Sequence, residues 1–106
     1  MPENLNDKTG GVVISIYVPP ELVKIGVAPD LQRFFDAMVY KLRRNAHKGR
    51  WGNVGLDRAF AGLESESAEL RDAIANGSTT EILMEAADTA NQALICANIA
   101  LESKNV

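Results

Sequence analysis

The last predicted helix of this chain, over residues 79–102, restricts the fold more than any other segment. Its apolar residues recur at helical spacing and cover a very wide arc: Ile82, Leu83, Ala86, Ala87, Ala90, Ala93, Leu94, Ala97, Ala100 and Leu101. A helix that is apolar nearly all round is normally buried from several sides. The other two long helices of one chain cannot supply that much cover. We therefore expect an all-α fold, a helical bundle completed by homo-oligomerisation.

Two acidic pairs lie on neighbouring predicted helices. Glu66 and Glu69 are on the helix predicted over residues 56–76, and Glu85 and Asp88 are on the apolar helix that follows. Residues three apart share one helix face, so packing the two helices together would bring four carboxylates close to one another. Such a cluster repels itself unless a cation fills it, and Mg²⁺ prefers oxygen ligands. One ExxE pair alone could be solvated surface, but two pairs on adjacent helices favour a metal site.

The remaining helices are marked by their caps. Asp30 is a suitable N-cap for a helix over residues 31–46, with an apolar stripe from Leu31 to Leu42. The helix over residues 56–76 carries a stripe of Leu56, Phe60, Leu63, Leu70 and Ile74. Asn76-Gly77 is a stop signal, and Ser78 or Thr79 caps the last helix.

The N-terminal region, residues 1–30, is predicted to be a tail separate from the helical domain of residues 31–106. Residues 11–18 alternate in a period of two and are rich in β-branched side chains, which favours a short β-strand ended by Pro19-Pro20. This strand needs a partner, either another copy of the chain or a loop. Residues 20–26 predict a single helical turn.

A basic segment closes the first long helix and enters the loop after it. Its cations fall within ten residues of one another: Lys41, Arg43, Arg44, His47, Lys48 and Arg50. Cations favour a helix C-terminus, but that accounts for only two or three of them. Lys41, Asn45 and Lys48 share one face, and lysine and arginine bind phosphate groups well. Phosphate contact and simple capping both remain open for this segment.

Two further residues are candidates for nucleotide contact. Trp51 is the only tryptophan and could stack on a base or sugar, or fold onto the core. Asn91 follows Asp88 by three residues and could contact a phosphate, a sugar hydroxyl or metal-bound water, or bond a neighbouring helix.

Composition excludes several classes of protein. The net charge of −3 argues against a nucleic-acid binder, and no segment has the length of apolar sequence that a bilayer requires. Cys96 is the only cysteine, which indicates a reducing, cytoplasmic setting. His47 is the only histidine, which disfavours a histidine-rich zinc site.

The motifs together resemble a known family. They are Lys41-Leu42, the Asn45-Ala46-His47-Lys48-Gly49 run, Trp51, and the ExxE and ExxD pairs separated by an Asn-Gly break. This pattern, over residues 34–101, resembles the MazG-like members of the all-α NTP pyrophosphatase superfamily. The strongest part of the resemblance is the ExxE and ExxD signature with its glycine-containing connector, and the basic segment is a weaker part. The first thirty residues do not contribute to the resemblance.

The resemblance implies an enzyme that hydrolyses a (deoxy)nucleoside triphosphate to the monophosphate and pyrophosphate, working as a homodimer or homotetramer. A purine deoxynucleotide in a phage or mobile element is one such substrate. The metal ligands, for Mg²⁺ or in some members Mn²⁺, would be Glu66, Glu69, Glu85 and Asp88.

Within that mechanism Glu66 or Glu69 would orient or deprotonate the attacking water. Lys41 and Lys48, with Arg44 as a further candidate, would hold pyrophosphate, while Asn45, His47 and Trp51 would lie near the base or sugar. One alternative stays within the superfamily but changes the substrate, to phosphoribosyl-ATP or a dUTP-like nucleotide. The other is a non-catalytic helical oligomerisation or regulatory module that binds a cation or a basic partner.

Overall fold

The computed structural model describes residues 8–51 and 54–103, and helices are the regular structure within them. The elements in chain order are α1 (Pro20–Lys24), α2 (Ala28–Arg44), a 3₁₀ turn (Ala46–Lys48), α3 (Leu56–Asn76) and α4 (Thr79–Ser103). The described part of the chain contains no strand, which confirms the all-α class. The chain divides into two compact units, Met1–Asp30 and Leu31–Val106.

In the N-terminal unit, α1 occupies the position of the predicted helical turn, and Gly26 follows it with a φ of 79°. Residues 11–18 form no strand within one chain; Val12 alone makes a single bridge. Their apolar side chains are largely exposed, Ile14 to 66% and Tyr17 to 79%. A strand here requires a partner segment, so it stays a prediction. The predicted tail lies outside the described residues as far as residue 7.

Helix α2 begins earlier than the sequence suggested. It starts at Ala28, so the prediction of Asp30 as N-cap is wrong, and Asp30 lies in the first turn instead. Pro29 explains the difference, because proline fits the first turn, where its missing N–H would have no helical partner. Asp30 remains well placed there, since a negative charge near a helix N-terminus is favourable. The helix ends at Arg44, and Gly49 (φ 76°) closes the 3₁₀ turn.

Helices α3 and α4 form an antiparallel hairpin whose predicted bounds are confirmed to within one residue. At the end of α3, the Gly77 N–H donates to the Ala73 carbonyl at 2.7 Å. A Cβ at Gly77 would lie 2.8 Å from that same oxygen, so the tight connection requires glycine. Ser78 then caps α4: its Oγ accepts from the Glu81 N–H at 3.2 Å, and Glu81 Oε1 accepts from the Ser78 N–H at 3.0 Å.

The face that α3 turns toward α4 differs from the predicted stripe. Ala59 is fully buried there, and a Cβ on Gly62 would meet the Gln92 amide at 2.7 Å. Gln92 Nε2 also donates to the Ala59 carbonyl at 3.0 Å. Two small residues therefore bring the helices close together, and larger stripe members such as Phe60 (54%) and Ile74 (62%) are turned outward.

The buried interior of the described residues is small. Its members are mostly small side chains: Ala37, Ala59, Ala87, Ile99 and the polar Asn91. No large described side chain is fully buried, although 46% of the sequence is hydrophobic. Single chains of this composition normally enclose several large apolar side chains. Among the described helices, none combines the length and hydropathy needed to cross a membrane.

The capping box predicts which residue starts α4. Ser78→Ala should lower the free energy of unfolding by about 1 kcal/mol, because the Glu81 N–H loses its acceptor. Thr79→Ala is the matched control, and it should change stability by less than half as much. Urea denaturation at one fixed protein concentration measures both, and equal losses would contradict the assignment of Ser78 as N-cap.

Candidate functional site

Three carboxylates meet where α3 faces α4. One oxygen each from Glu66, Glu85 and Asp88 lies within 4.8 Å of the other two. Oxygens that share one Mg²⁺ at 2.0–2.1 Å are at most about 4.2 Å apart, so rotation of the side chains by less than about 1 Å would bring them into range. The hairpin therefore places an oxygen-rich cluster of the size that a hard divalent cation takes.

The carboxylates are not satisfied by the protein alone. Glu66 Oε2 and Glu85 Oε1 are buried without a hydrogen-bond partner. Burial raises the pKa of Glu66, and the negative charges of Glu69, Asp88 and Glu85 raise it further. Burial likewise raises the pKa of Glu85, followed by the charges of Glu69 and Asp88. Buried oxygens that lack donors and repel one another fit a bound cation.

Glu69 stands apart from this group. Its oxygens are not among the three that approach within 4.8 Å, yet its charge raises the pKa of both Glu66 and Glu85. Of the four predicted ligands, the structure thus gathers three and leaves Glu69 beside them, on the exposed side of α3. That position suits a carboxylate that acts next to a cation.

Lys41 of α2 supplies the positive charge nearest to the cluster. Its Nζ lies 3.1 Å from Asp88 Oδ2, and both side chains are about four-fifths buried, with 21% and 20% exposure. The ammonium lowers the pKa of both Glu66 and Glu85, against the larger opposing effects of burial and like charge. One cation among four acids leaves a net negative site.

Thr89 fixes the two acidic helices at the level of the cluster. Its hydroxyl donates to the Glu85 carbonyl at 2.8 Å and lies 3.3 Å from the Glu66 carbonyl. The threonine thereby joins the backbones of α3 and α4 at two residues whose side chains carry the orphaned oxygens. Sequence reasoning did not identify Thr89; its position four residues after Glu85 is the spacing at which threonine bonds a helix carbonyl.

A cavity of about 260 Å³ opens beside the acid cluster. It is lined by cations, amides, an aromatic ring and apolar side chains, among them Lys41, Asn45, Lys48, Arg50, Trp51, Asp88, Asn91 and Ile95. Five of the six residues predicted to bind substrate contribute to this wall. His47 does not line it, although it lies in the same 3₁₀ turn. Asp88 belongs both to this wall and to the acid cluster.

The cavity's loop is held by charge and ring contacts. Arg50 lies over the Trp51 ring at 4.0 Å from its centroid, and Arg50 Nη2 pairs with Glu102 Oε2 at 2.6 Å. This pairing lowers the pKa of Glu102. Arg50 was in the predicted basic segment but not among the predicted site residues; its place directly before Trp51 was the available signal.

A second, open groove of about 570 Å³ lies on the other side of the cluster. Its walls carry carboxylates from both helices: Glu69, Asp72, Glu81 and Glu85. The two spaces differ in charge, since the groove offers acids and the cavity offers Lys41, Lys48 and Arg50. The cavity is therefore the less acidic of the two spaces, with Lys41 and Arg50 already paired with Asp88 and Glu102.

Comparison with protein-family models, with curated proteins and with solved structures gives no match to this chain. The function of the site rests on the chemistry of its own residues.

The raised pKa values of Glu66 and Glu85 predict how stability depends on pH. The folded state holds the protons of these two carboxyl groups more tightly than the unfolded chain does, because unfolded glutamates have a pKa of about 4.3. Without divalent cations, stability should fall as pH rises from that value through the raised pKa values. Glu66→Gln removes one such group, so its urea midpoint should exceed that of the parent at pH 7 and match it at pH 4.

Glu64→Gln is the matched control, because Glu64 is an exposed glutamate of the same helix. The control should follow the parent protein at both pH values. A Glu66→Gln midpoint no higher than the parent's at pH 7 in EDTA would contradict the proposed repulsion.

Proposed function

We propose that the chain is a divalent-metal-dependent nucleoside triphosphate pyrophosphohydrolase of the cytoplasm. It would cleave the bond between the α- and β-phosphates of a (deoxy)nucleoside triphosphate, giving the monophosphate and pyrophosphate. The resemblance to MazG-like enzymes leads to this reaction, and a purine deoxynucleotide is the first substrate to test.

The dual position of Asp88 carries the proposal. Its carboxylate belongs to the three-acid cluster and also lines the cavity that contains Lys41, Lys48 and Trp51. A ligand in this cavity therefore reaches the place where a cation would be held. Phosphate chains bind at such junctions, because a cation and lysines together offset their charge.

The size of the cavity suggests which part of a nucleotide would lie in the cavity and which part would lie at the acid cluster. At about 260 Å³ it lies just below the usual range of small-molecule pockets, roughly 300–1,000 Å³. It would hold the nucleoside beside Trp51, with the phosphates extending past Lys41 toward the acids.

The acids fit Mg²⁺, or Mn²⁺, through Glu66, Glu85 and Asp88. A bound cation would neutralise charge on the phosphate oxygens and favour ionisation of a nearby water. Lys41 and Lys48 would orient the phosphates and stabilise the leaving pyrophosphate. When phosphate draws Lys41 away, the carboxylate of Asp88 loses its partner and becomes free to bind the cation.

Glu69 is the better candidate for the general base. It lies next to the cluster without belonging to its closest three oxygens, and it remains exposed to solvent. A carboxylate outside the coordination of the cation is the stronger base toward water, because coordination withdraws electron density from the oxygens of a ligand. Glu66, with a buried orphan oxygen, is better suited to hold the cation.

Homo-oligomerisation is the second part of the proposal. Phe60 and Ile74 of α3 and Leu101 of α4 are each more than half exposed in the single chain. Patches of this chemistry usually mark protein interfaces. A second copy packed on these helices would complete the bundle, as a homodimer or as half of a homotetramer.

The acidic groove gives the alternative function its support. A basic peptide could bind along Glu69, Asp72, Glu81 and Glu85, and the chain would then be a regulatory module without catalysis. Such binding would not require the cavity at Trp51.

The reaction is tested by pyrophosphate release from a panel of ribo- and deoxynucleoside triphosphates with Mg²⁺. We expect turnover of at least one nucleotide, lost in EDTA, with Glu66→Gln and Glu69→Gln each reducing kcat by at least about 100-fold. Glu64→Gln should retain the parent rate. Absence of release from every nucleotide would favour the regulatory module.

The two glutamates should differ in cation binding. Glu66→Gln removes a ligand, so added Mg²⁺ should no longer raise its Tm, whereas Glu69→Gln should keep most of that rise while losing turnover. Calorimetry or thermal melting with and without Mg²⁺ measures this difference. Equal loss of the Mg²⁺ effect in both variants would make Glu69 a ligand and not the base.

The interface is tested by Phe60→Glu, which places a charge in the exposed apolar surface of α3. Sedimentation equilibrium should show a shift from oligomer toward monomer, because burying an unpaired carboxylate is costly. Ala61→Glu is the matched control on an exposed position of the same helix and should leave the assembly intact. A monomeric parent protein would overturn this part of the proposal.

A further inference from the structure

Asn91 is the one buried polar residue among the described positions, at 6% exposure in the middle of α4. It also contributes to the wall of the cavity that contains Lys41, Trp51 and Asp88. A buried amide normally has all of its hydrogen-bonding atoms paired. Asn91 departs from this rule at one atom.

Only one end of the amide is used by the protein. Asn91 Nδ2 donates to the Met38 carbonyl at 3.0 Å, whereas Asn91 Oδ1 is buried without a partner. The Met38 oxygen can only accept, so the nitrogen must face it; a flipped amide would bring two acceptors together. The orientation of Asn91 is thus fixed by α2, and the atom that the protein leaves unpaired is an acceptor.

An acceptor restricts what can bind there. Phosphate oxygens are themselves acceptors and are excluded as partners of Oδ1. Of the cations that line the cavity, Lys41 is paired with Asp88 and Arg50 with Glu102. The donors left are a water on the cation and, on the nucleotide itself, a sugar hydroxyl or an N–H of the base.

We propose that Asn91 determines nucleoside specificity: its Oδ1 accepts a hydrogen bond from the sugar or base, and the Met38 carbonyl sets its orientation. This inference rests on the proposed function, since it assumes that a nucleotide occupies the cavity. A ligand without the donor would leave the buried oxygen unpaired, and sites of this kind discriminate strongly against such analogues. Affinity should fall by roughly 10- to 100-fold when the recognised donor is removed.

The test compares binding of matched nucleotides, without turnover. α,β-Methylene triphosphates with Mg²⁺ are titrated while the fluorescence of Trp51, the only tryptophan, reports binding in the cavity. The ligands separate the sources of the donor: the nucleotide that the pyrophosphate panel selects, its 3′-deoxy analogue, its 2′-deoxy analogue where that nucleotide is a ribonucleotide, and an analogue whose base lacks the N–H donor.

One analogue should bind the parent protein roughly 10- to 100-fold more weakly than the complete nucleotide. In Asn91→Ala this ratio should fall to about 1, because the variant has no acceptor to leave unpaired. Asn98→Ala is the matched control: Asn98 donates to the Leu94 carbonyl on the same helix and does not line the cavity. It should preserve the ratio.

Two results would overturn the role of Asn91 while leaving the proposed function in place. One is that no analogue binds the parent protein more weakly than the complete nucleotide does. This result can be obtained without any variant. The other is that the ratio persists in folded Asn91→Ala. If no triphosphate binds and none releases pyrophosphate, the proposed function itself fails.

Discussion

Repulsion among the carboxylates at the α3–α4 contact is the constraint on which the rest of this structure depends. Small residues, Ala59 and Gly62 on α3 and Ala87 on α4, let the helices approach closely. That approach buries oxygens of Glu66 and Glu85 without donors. Buried like charges oppose folding unless a counter-charge is present. A counter-charge at this cluster would therefore stabilise the hairpin.

Helix α2 is tied to this cluster mainly through polar contacts. Lys41 pairs with Asp88, and the Met38 carbonyl accepts from Asn91. Both contacts involve α4 residues that line the cavity, so the position of α2 and the shape of the cavity depend on each other. A ligand that competes for Lys41 would loosen one of these contacts and leave the other.

The sequence predicted the helices well where local signals decide them. Asn76-Gly77 and Ser78 set the α3–α4 connection, and the i, i+3 acids indicated the cluster. Prediction failed where packing decides. At about 100° per residue, Glu66 and Glu69 point about 60° apart, so a close contact centred on Ala59 and Gly62 can enclose only one of them. The stripe of large apolar residues suggested a contact about a quarter turn further round α3, because sequence patterns do not reveal which helix surfaces are smooth enough to meet closely. The pairing of Lys41 with Asp88 depends on the same packing, and no spacing rule connects residues of two different helices.

In the proposed complex, the acceptor on Asn91 and the acid cluster would recognise different parts of the ligand. Carboxylates and a lysine recognise charge, which every nucleoside triphosphate carries equally, so they can supply affinity but little discrimination. A neutral buried acceptor adds little affinity for a wrong ligand and penalises one that lacks a donor. Because Asp88 and Asn91 lie three residues apart on one helix, the distance between the charge-binding and the donor-reading atoms is set by helix geometry. In the proposed complex, a spacing of this kind would favour a donor that lies on the nucleoside close to the phosphate chain.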